Sequence, residues 1–265
     1  MKELEITLLI CIHNATNYKS LKKSIDSIFL QNYIPSEIYI IQNGPTSKAC
    51  SEYIESLNKN KNIYLIYLKK NIGLAKALNK GIKISKTKFI SRLDPGDEII
   101  NERFLLQYDA FQKNKNISVC GSFAEEIFNK KKRILKKPVS NLNINKTLKF
   151  SNPFIHSSIT FKKKDIEKIG SYPIINKCQD YFLWIKCYEA KFKFMNIEKP
   201  LIKKDLDLNL MKRRNLNYFF FEYFIYKYML NKKIINTLNF IYLTTSRFIL
   251  RILPSYIKIE LYKLR

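Results

Sequence analysis

The first 93 residues alternate strand-like and helix-like segments, and that alternation constrains the fold more than any other feature of the chain. Ile6–Ile12 is an unbroken apolar run rich in β-branched residues, as expected of a strand covered on both faces. Asn14-Ala-Thr-Asn17 follows as loop and cap, and Tyr18–Leu30 carries Leu21, Ile25, Ile28 and Phe29 at helical spacing. Ile38–Ile41 is the next strand, punctuated by Asn43-Gly-Pro-Thr46 before a helix over roughly 47–58. Ile63–Leu68, a helix over Gly73–Ser85, and Phe89–Leu93 complete the series. Such a βαβαβαβ order predicts an α/β fold: a mostly parallel sheet with helices on both sides. The second half is less regular, with strands expected near Ser118–Phe128, Ser158–Phe161 and Phe192–Ile197 and a helix over Gln179–Ala190.

Chemistry in such a sheet gathers outside the carboxyl ends of its strands. Asp94-Pro-Gly-Asp97 stands there, directly after Lys88–Leu93. Two carboxylates bent round a Pro-Gly turn can converge on one hard cation such as Mg²⁺, and such a cation suits a diphosphate. The same four residues also make an ordinary surface turn.

Net charge is +26, from 48 Lys+Arg against 22 Asp+Glu, which favours an anionic partner. Nucleic acid, a phosphate-bearing substrate and acidic lipid all qualify, but no nucleic-acid reader motif is present. The Lys- and Asn-rich composition would also follow from an AT-rich genome. The five cysteines show no C-x-x-C pairing and read as buried thiols of a reducing compartment. Lys2-Glu-Leu-Glu5 leads straight into the first strand, without the pattern of a secretory leader. The most apolar late stretch, Ile234 to Ile257, is broken by Arg247, Arg251 and Pro254 and is not expected to span a bilayer.

Several ordered motifs carry a resemblance. They are Leu8-Leu-Ile-Cys-Ile-His-Asn14, Ser24-Ile-Asp-Ser-Ile28 with Gln31, Asn43-Gly-Pro45, Asn71-Ile-Gly-Leu-Ala75, and Ile90-Ser-Arg-Leu-Asp-Pro-Gly-Asp97. Asn152-Pro-Phe-Ile-His156, Gly170-Ser-Tyr172 and Gln179-Asp-Tyr-Phe-Leu-Trp184 follow. In this order and spacing the chain resembles family 2 glycosyltransferases of GT-A fold, in the bacterial exopolysaccharide and lipooligosaccharide group that includes amylovoran-type transferases.

The resemblance implies a catalytic domain over 1–210 and a basic, aromatic helical tail over 211–265. It implies an inverting transfer from a nucleotide-sugar, usually of UDP, to a saccharide or lipid-linked acceptor, with Mn²⁺ or Mg²⁺ as cofactor. Ile12, His13, Asn14, Asn71 and Gly73 would frame base and ribose. Asn43 stands where the family usually has an Asp. Asp97 would hold the metal and Asp94 the metal or ribose, with Gly96 in place of an expected acid. Arg92 is either a supporting contact or an outward-facing strand residue. Asp180, in a Gln-Asp pair where the family has Glu-Asp, would be the general base, held by packing of Tyr181 and Trp184. The segment around His156 would line the donor or acceptor pocket, and Arg213 and Arg214 would lie over the diphosphate. The losses at 43, 96 and 179 leave a catalytically impaired scaffold as the rival expectation.

The tail adds a further expectation. Residues 212–265 hold 11 Lys+Arg against 2 acids, interleaved with aromatic and aliphatic residues. Phe248, Ile249, Ile252 and Leu253 could form one apolar face beside Arg247 and Arg251. Basic, aromatic helices favour the headgroup layer of anionic membranes, which predicts a cytoplasmic protein peripheral on the inner face of the cytoplasmic membrane. Packing of a helical pair on the catalytic domain, or a dimer contact, is the alternative.

Overall fold

The structure is a computed structural model that describes residues 1–128, 131–205 and 215–263. The expected apolar run forms the inner part of β1 (Lys2–Ile12), in which every side chain from Ile6 onward is buried. Strand β1 runs parallel to β2 (Tyr33–Asn43) on one side and β4 (Phe89–Leu93) on the other, and β3 (Ile63–Leu68) extends the sheet parallel to β2. Three crossover helices join them: α1 (Tyr18–Phe29), α2 (Lys48–Ser56) and α3 (Leu74–Ile84). Asn17 and Ser47 cap α1 and α2 by accepting the backbone N–H of Ser20 and Cys50.

The two faces of β1 belong to different cores. Ile6, Leu8, Ile10 and Ile12 pack with Leu21 and Ile25 of α1 and with Phe104 and Phe111 of α4 (Arg103–Lys113). Leu9 and Cys11 pack on the opposite side with Ala77 and Leu78 of α3 and with α7 (Gln179–Glu189). That double cover is why the strand shows no polar alternation.

Beyond β4 the sheet continues through β8 (Thr160–Lys162), β6 (Ile117–Phe128), β9 (Lys193–Asp205) and the short β5 (Glu98–Ile99). Strand β8 is antiparallel to both neighbours, β9 is parallel to β6, and β7 (Lys131–Leu135) forms an antiparallel edge on β6. Strand β9 runs eight residues past the expected end at Ile197, and it is this extension that reaches β5 and the Asp94–Asp97 turn. Helices α5 (Asn141–Leu148) and α6 (Lys163–Lys168) complete the sheet-containing half.

The tail folds back on that half. Helix α8 (Leu216–Asn231) sets Phe224 and Tyr228 edge-on against Phe182 of α7, with ring centroids 5.6 and 4.9 Å apart. Ile225, Tyr226 and Met229 join the core that contains Trp184. Helix α9 (Thr237–Ile252) is clamped to α8 by a buried pair: Arg251 donates to both carboxylate oxygens of Glu222, at 2.9 and 2.6 Å. Helix α10 (Ser255–Lys263) returns to the sheet, where Tyr262 Oη donates to Glu126 of β6 at 2.9 Å. All five cysteines are buried with free thiols. Among the described residues no helix is long and apolar enough to cross a membrane.

Candidate active site

Asp94–Asp97 forms a tight turn at the carboxyl end of β4, closed by the Asp97 N–H donating to the Asp94 carbonyl at 3.0 Å. Pro95 takes the second position and Gly96 the third, with φ +104°. That is a type II turn, whose third residue lies where any L side chain is strained. The acid missing at 96 is thus a requirement of the backbone. Two serines of α1 fasten the turn: Ser24 Oγ accepts the Gly96 N–H at 2.8 Å, and Ser27 Oγ accepts the Ile99 N–H at 2.9 Å.

Two buried guanidinium groups lie beneath. Arg92 is 3% exposed, donates to the Leu9 carbonyl at 3.0 Å and pairs with Asp94. It neither faces outward nor reaches a ligand directly; it supports Asp94. Arg103 is fully buried and donates to the carbonyls of Ser157, Arg92 and Ile159 at 2.8, 2.8 and 3.0 Å. Burial pulls its guanidinium down to about 9. These cations separate the behaviour of the two acids. Burial works to raise Asp94, but Arg92 above all, with His156, Lys204 and Arg103, holds it below the usual carboxylate range. Burial drives Asp97 up to about 6, against the opposing charge of Lys204, with the Asp94 carboxylate pushing the same way as burial.

Asp180 occupies the first turn of α7, which begins after Cys178 in the left-handed conformation at φ +58°. Its Oδ2 accepts from Asn152 Nδ2 at 2.7 Å. Tyr181 anchors the helix by donating to the Leu148 carbonyl at 2.7 Å. Trp184 is fully buried and edge-on to Phe154 at 5.2 Å, packing that fixes α7. His156 Nε2 lies 2.9 Å from the Tyr172 hydroxyl. Burial lowers its basicity, while the charges of Asp180 and Asp94 both oppose that effect. One imidazole therefore feels the charge of both Asp94 and Asp180.

At the nucleotide end, Ile12 is buried in the core while His13 and Asn14 are exposed at the strand terminus. The Ile12 side chain is therefore directed away from a ligand. His13 Nδ1 accepts the Ala15 N–H at 3.1 Å. Asn43 is 3% exposed and clasps the next loop: its Nδ2 donates to Asn71 Oδ1 at 3.0 Å and its Oδ1 accepts the Ile72 N–H at 2.9 Å. Asn71 Oδ1 also accepts the Gly73 N–H at 2.9 Å. Gly44 permits this closure, because a Cβ there would lie 2.6 Å from the Asn71 nitrogen. Gly73 holds φ +85° with no atom within 4 Å of where a Cβ would sit, so its backbone faces open space at the start of α3.

Arg213 and Arg214 lie outside the described residues. Lys204 is a cation that the sequence did not single out. It pairs in register with Glu126 across β9 and β6. Burial acts to lower its basicity, yet the charges of Asp97 and Asp94 raise it above that of an ordinary lysine. Among the described residues no group of three His, Cys, Asp or Glu could hold a metal. The turn offers two carboxylates, a donor set that suits Mg²⁺ or Mn²⁺ completed by water and phosphate oxygens.

Residues 7–170 match the sequence model of "Glycosyl transferase family 2". The chain is 29% identical over 262 residues to an Escherichia coli UDP-Gal:alpha-D-GlcNAc-diphosphoundecaprenol beta-1,3-galactosyltransferase, covering 98% of this chain and 95% of that one. It is 27% identical over 214 residues to the amylovoran biosynthesis glycosyltransferase AmsE of Erwinia amylovora, covering 80% of each. Among solved structures, S. aureus TarS 1-349 in complex with UDP superposes with a TM-score of 0.62 at 17% identity, over 87% of this chain and 66% of that one. The chain belongs to glycosyl transferase family 2 and has the GT-A fold.

Proposed function

We propose that the protein is an inverting, divalent-cation-dependent hexosyl- or N-acetylhexosaminyltransferase of bacterial surface polysaccharide or lipooligosaccharide synthesis. Its donor is a nucleotide-sugar of UDP and its acceptor a hydroxyl of a saccharide or lipid-linked oligosaccharide. The observation that supports this reading is that His156 feels the charge of both Asp180 and Asp94, the latter sharing a tight turn with Asp97. The names of the relatives above, one acting from UDP-Gal on a diphosphoundecaprenol-linked sugar, support the substrate class.

His13, Asn14 and the Asn43–Asn71 clasp frame the base and ribose, and the open backbone at Gly73 admits the diphosphate near the start of α3. Asp97, with Asp94 beside it, would hold a Mn²⁺ or Mg²⁺ ion, which neutralises charge on a departing diphosphate. Lys204 adds a fixed positive charge to the same wall. Asp180 takes the proton of the acceptor hydroxyl while that oxygen attacks the anomeric carbon from the face opposite the leaving group. The bond to the diphosphate breaks with its electron pair, UDP departs, and the configuration inverts. No enzyme-bound sugar is required.

The proposal is tested by nucleotide release from UDP-, GDP- and dTDP-sugars with Mn²⁺ or Mg²⁺ and candidate acceptors. Turnover is expected with a UDP-sugar. Asp97→Ala and Asp180→Ala should each abolish it, and only Asp97→Ala should greatly weaken metal-dependent UDP binding. A metal-independent wild-type rate, or full activity in Asp180→Ala, would overturn the assignment.

A further inference from the structure

We propose that Asn152 is a positioning residue for the general base, fixing which oxygen of Asp180 receives the acceptor proton. The inference rests on Asp180 being that base. Asn152 opens the loop before the 3₁₀ turn His156–Ser158, on the wall facing the start of α7. Its Nδ2 donates to Asp180 Oδ2 at 2.7 Å. The orientation of the amide is settled locally, because Asn152 Oδ1 accepts the Phe154 N–H at 3.1 Å and only a carbonyl oxygen can do so. The amide cannot turn without breaking both bonds.

The loop is tied to α7 and to the strand edge as well. Phe154 packs against Trp184 and against Phe194, with centroids 5.2 and 5.6 Å apart. The Asn152 carbonyl accepts from Lys137 Nζ at 3.1 Å. Asp180 and its donor are therefore held by one packed unit, and a carboxylate in the first turn of a helix loses its freedom to rotate. With Oδ2 occupied, Oδ1 remains for the hydroxyl.

A donated hydrogen bond also favours the ionised form of a carboxylate over the protonated one. The other groups facing Asp180 are His156, Tyr172 and the Cys178 thiol, each of which registers its charge. Neither Tyr172 nor Cys178, whose protons burial retains, supplies a compensating cation. Among the described residues, Asn152 is a side-chain hydrogen-bond donor to this carboxylate.

The test compares Asn152→Ala, the isosteric Asn152→Asp and Asp180→Asn. With UDP-galactose and a GlcNAc-diphospho-lipid as probes, kcat should fall roughly 10- to 100-fold in Asn152→Ala, the span expected for a lost bond to a charged group. The KM for UDP-galactose should stay unchanged, and Asn152→Asp, which keeps the shape but cannot donate when ionised, should lose at least as much of kcat. An unchanged kcat in Asn152→Ala and Asn152→Asp, or a loss confined to KM, overturns the role of Asn152 alone. Retained turnover in Asp180→Asn removes the base, and the proposal with it.

Discussion

Asn43 shows how a single departure from a family pattern can be absorbed by its neighbours. Its amide donates to Asn71 and accepts from Ile72, so both ends are used within the protein. An Asp at 43 would set a carboxylate oxygen 3.0 Å from Asn71 Oδ1 with no proton between them. Asn43→Asp is therefore expected to cost about 1–2 kcal/mol in urea unfolding, the penalty for a buried acceptor left unpaired. It should also weaken UDP binding by loosening the 71–73 loop; unchanged stability and affinity would dismiss the clasp. Asp97 makes the second prediction at this scale. Its carboxyl is raised from the usual range to about 6, so the fold prefers the neutral form. In cation-free protein that contribution to stability is present below the ordinary carboxylate range and is lost as pH rises through about 6. A bound cation must displace the proton below that point. Calorimetric titration with Mn²⁺ and UDP at pH 5 should show proton release and weaker apparent affinity than at pH 7.5; equal affinity at both would count against Asp97 as a ligand.

Among the elements, those easiest to read in the sequence were the ones buried most evenly. Strands β1, β2 and β4 and helices α1 to α3 announce themselves because continuous apolar runs and helical stripes survive where both faces of a sheet are covered. Helix α4 does not, since two of its buried positions are Arg103 and Gln107, whose hydrogen bonds are satisfied inside the protein and whose side chains read as solvent-facing. Strand β5 is two residues long and β7 is Lys-Lys-Arg-Ile-Leu, too short and too charged to signal a strand. The proposed acids, Asp94, Asp97 and Asp180, stand in the motifs that carry the family resemblance. Lys204 was hidden among the many lysines of the chain, and the Asn152–Asp180 bond joins positions that no local pattern connects. The buried Glu222–Arg251 pair is equally silent in sequence, yet it governs how α9 sits on α8. Removing one partner strands the other, so Arg251→Ala should lower stability by about 3–5 kcal/mol in urea unfolding. Glu222→Leu combined with Arg251→Met should recover most of that loss. Additive losses in the double variant would mean that the pair contributes packing rather than charge.

For the molecule as a whole, the disposition of charge and apolar surface bears on where the enzyme works. The tail packs on the catalytic half through one side of its helices and leaves the other side uncovered. Phe220 on α8, and Ile241, Tyr242, Ile249 and Ile252 on α9, are between 52 and 65% exposed. Along α9 spacings of three, seven and eight residues place these side chains on one stripe. Moving a large apolar side chain out of water contributes up to about 1.5–3 kcal/mol, and each basic residue near an anionic surface about 1 kcal/mol. With 48 Lys+Arg against 22 acids, the protein carries charge of the sign that anionic lipid attracts. The proposed inner-membrane attachment then predicts sedimentation with vesicles containing phosphatidylglycerol, weakening as salt rises and absent with purely zwitterionic vesicles. Phe220→Glu combined with Ile249→Glu should abolish that binding without lowering the melting temperature, because neither side chain is buried. It should slow transfer to a lipid-linked acceptor while leaving transfer to a short soluble one unchanged. If the unsubstituted protein ignores anionic vesicles and instead runs as a dimer that the double variant dissolves, the stripe serves a second copy of the chain, and the acceptor must be brought to the crevice by other means.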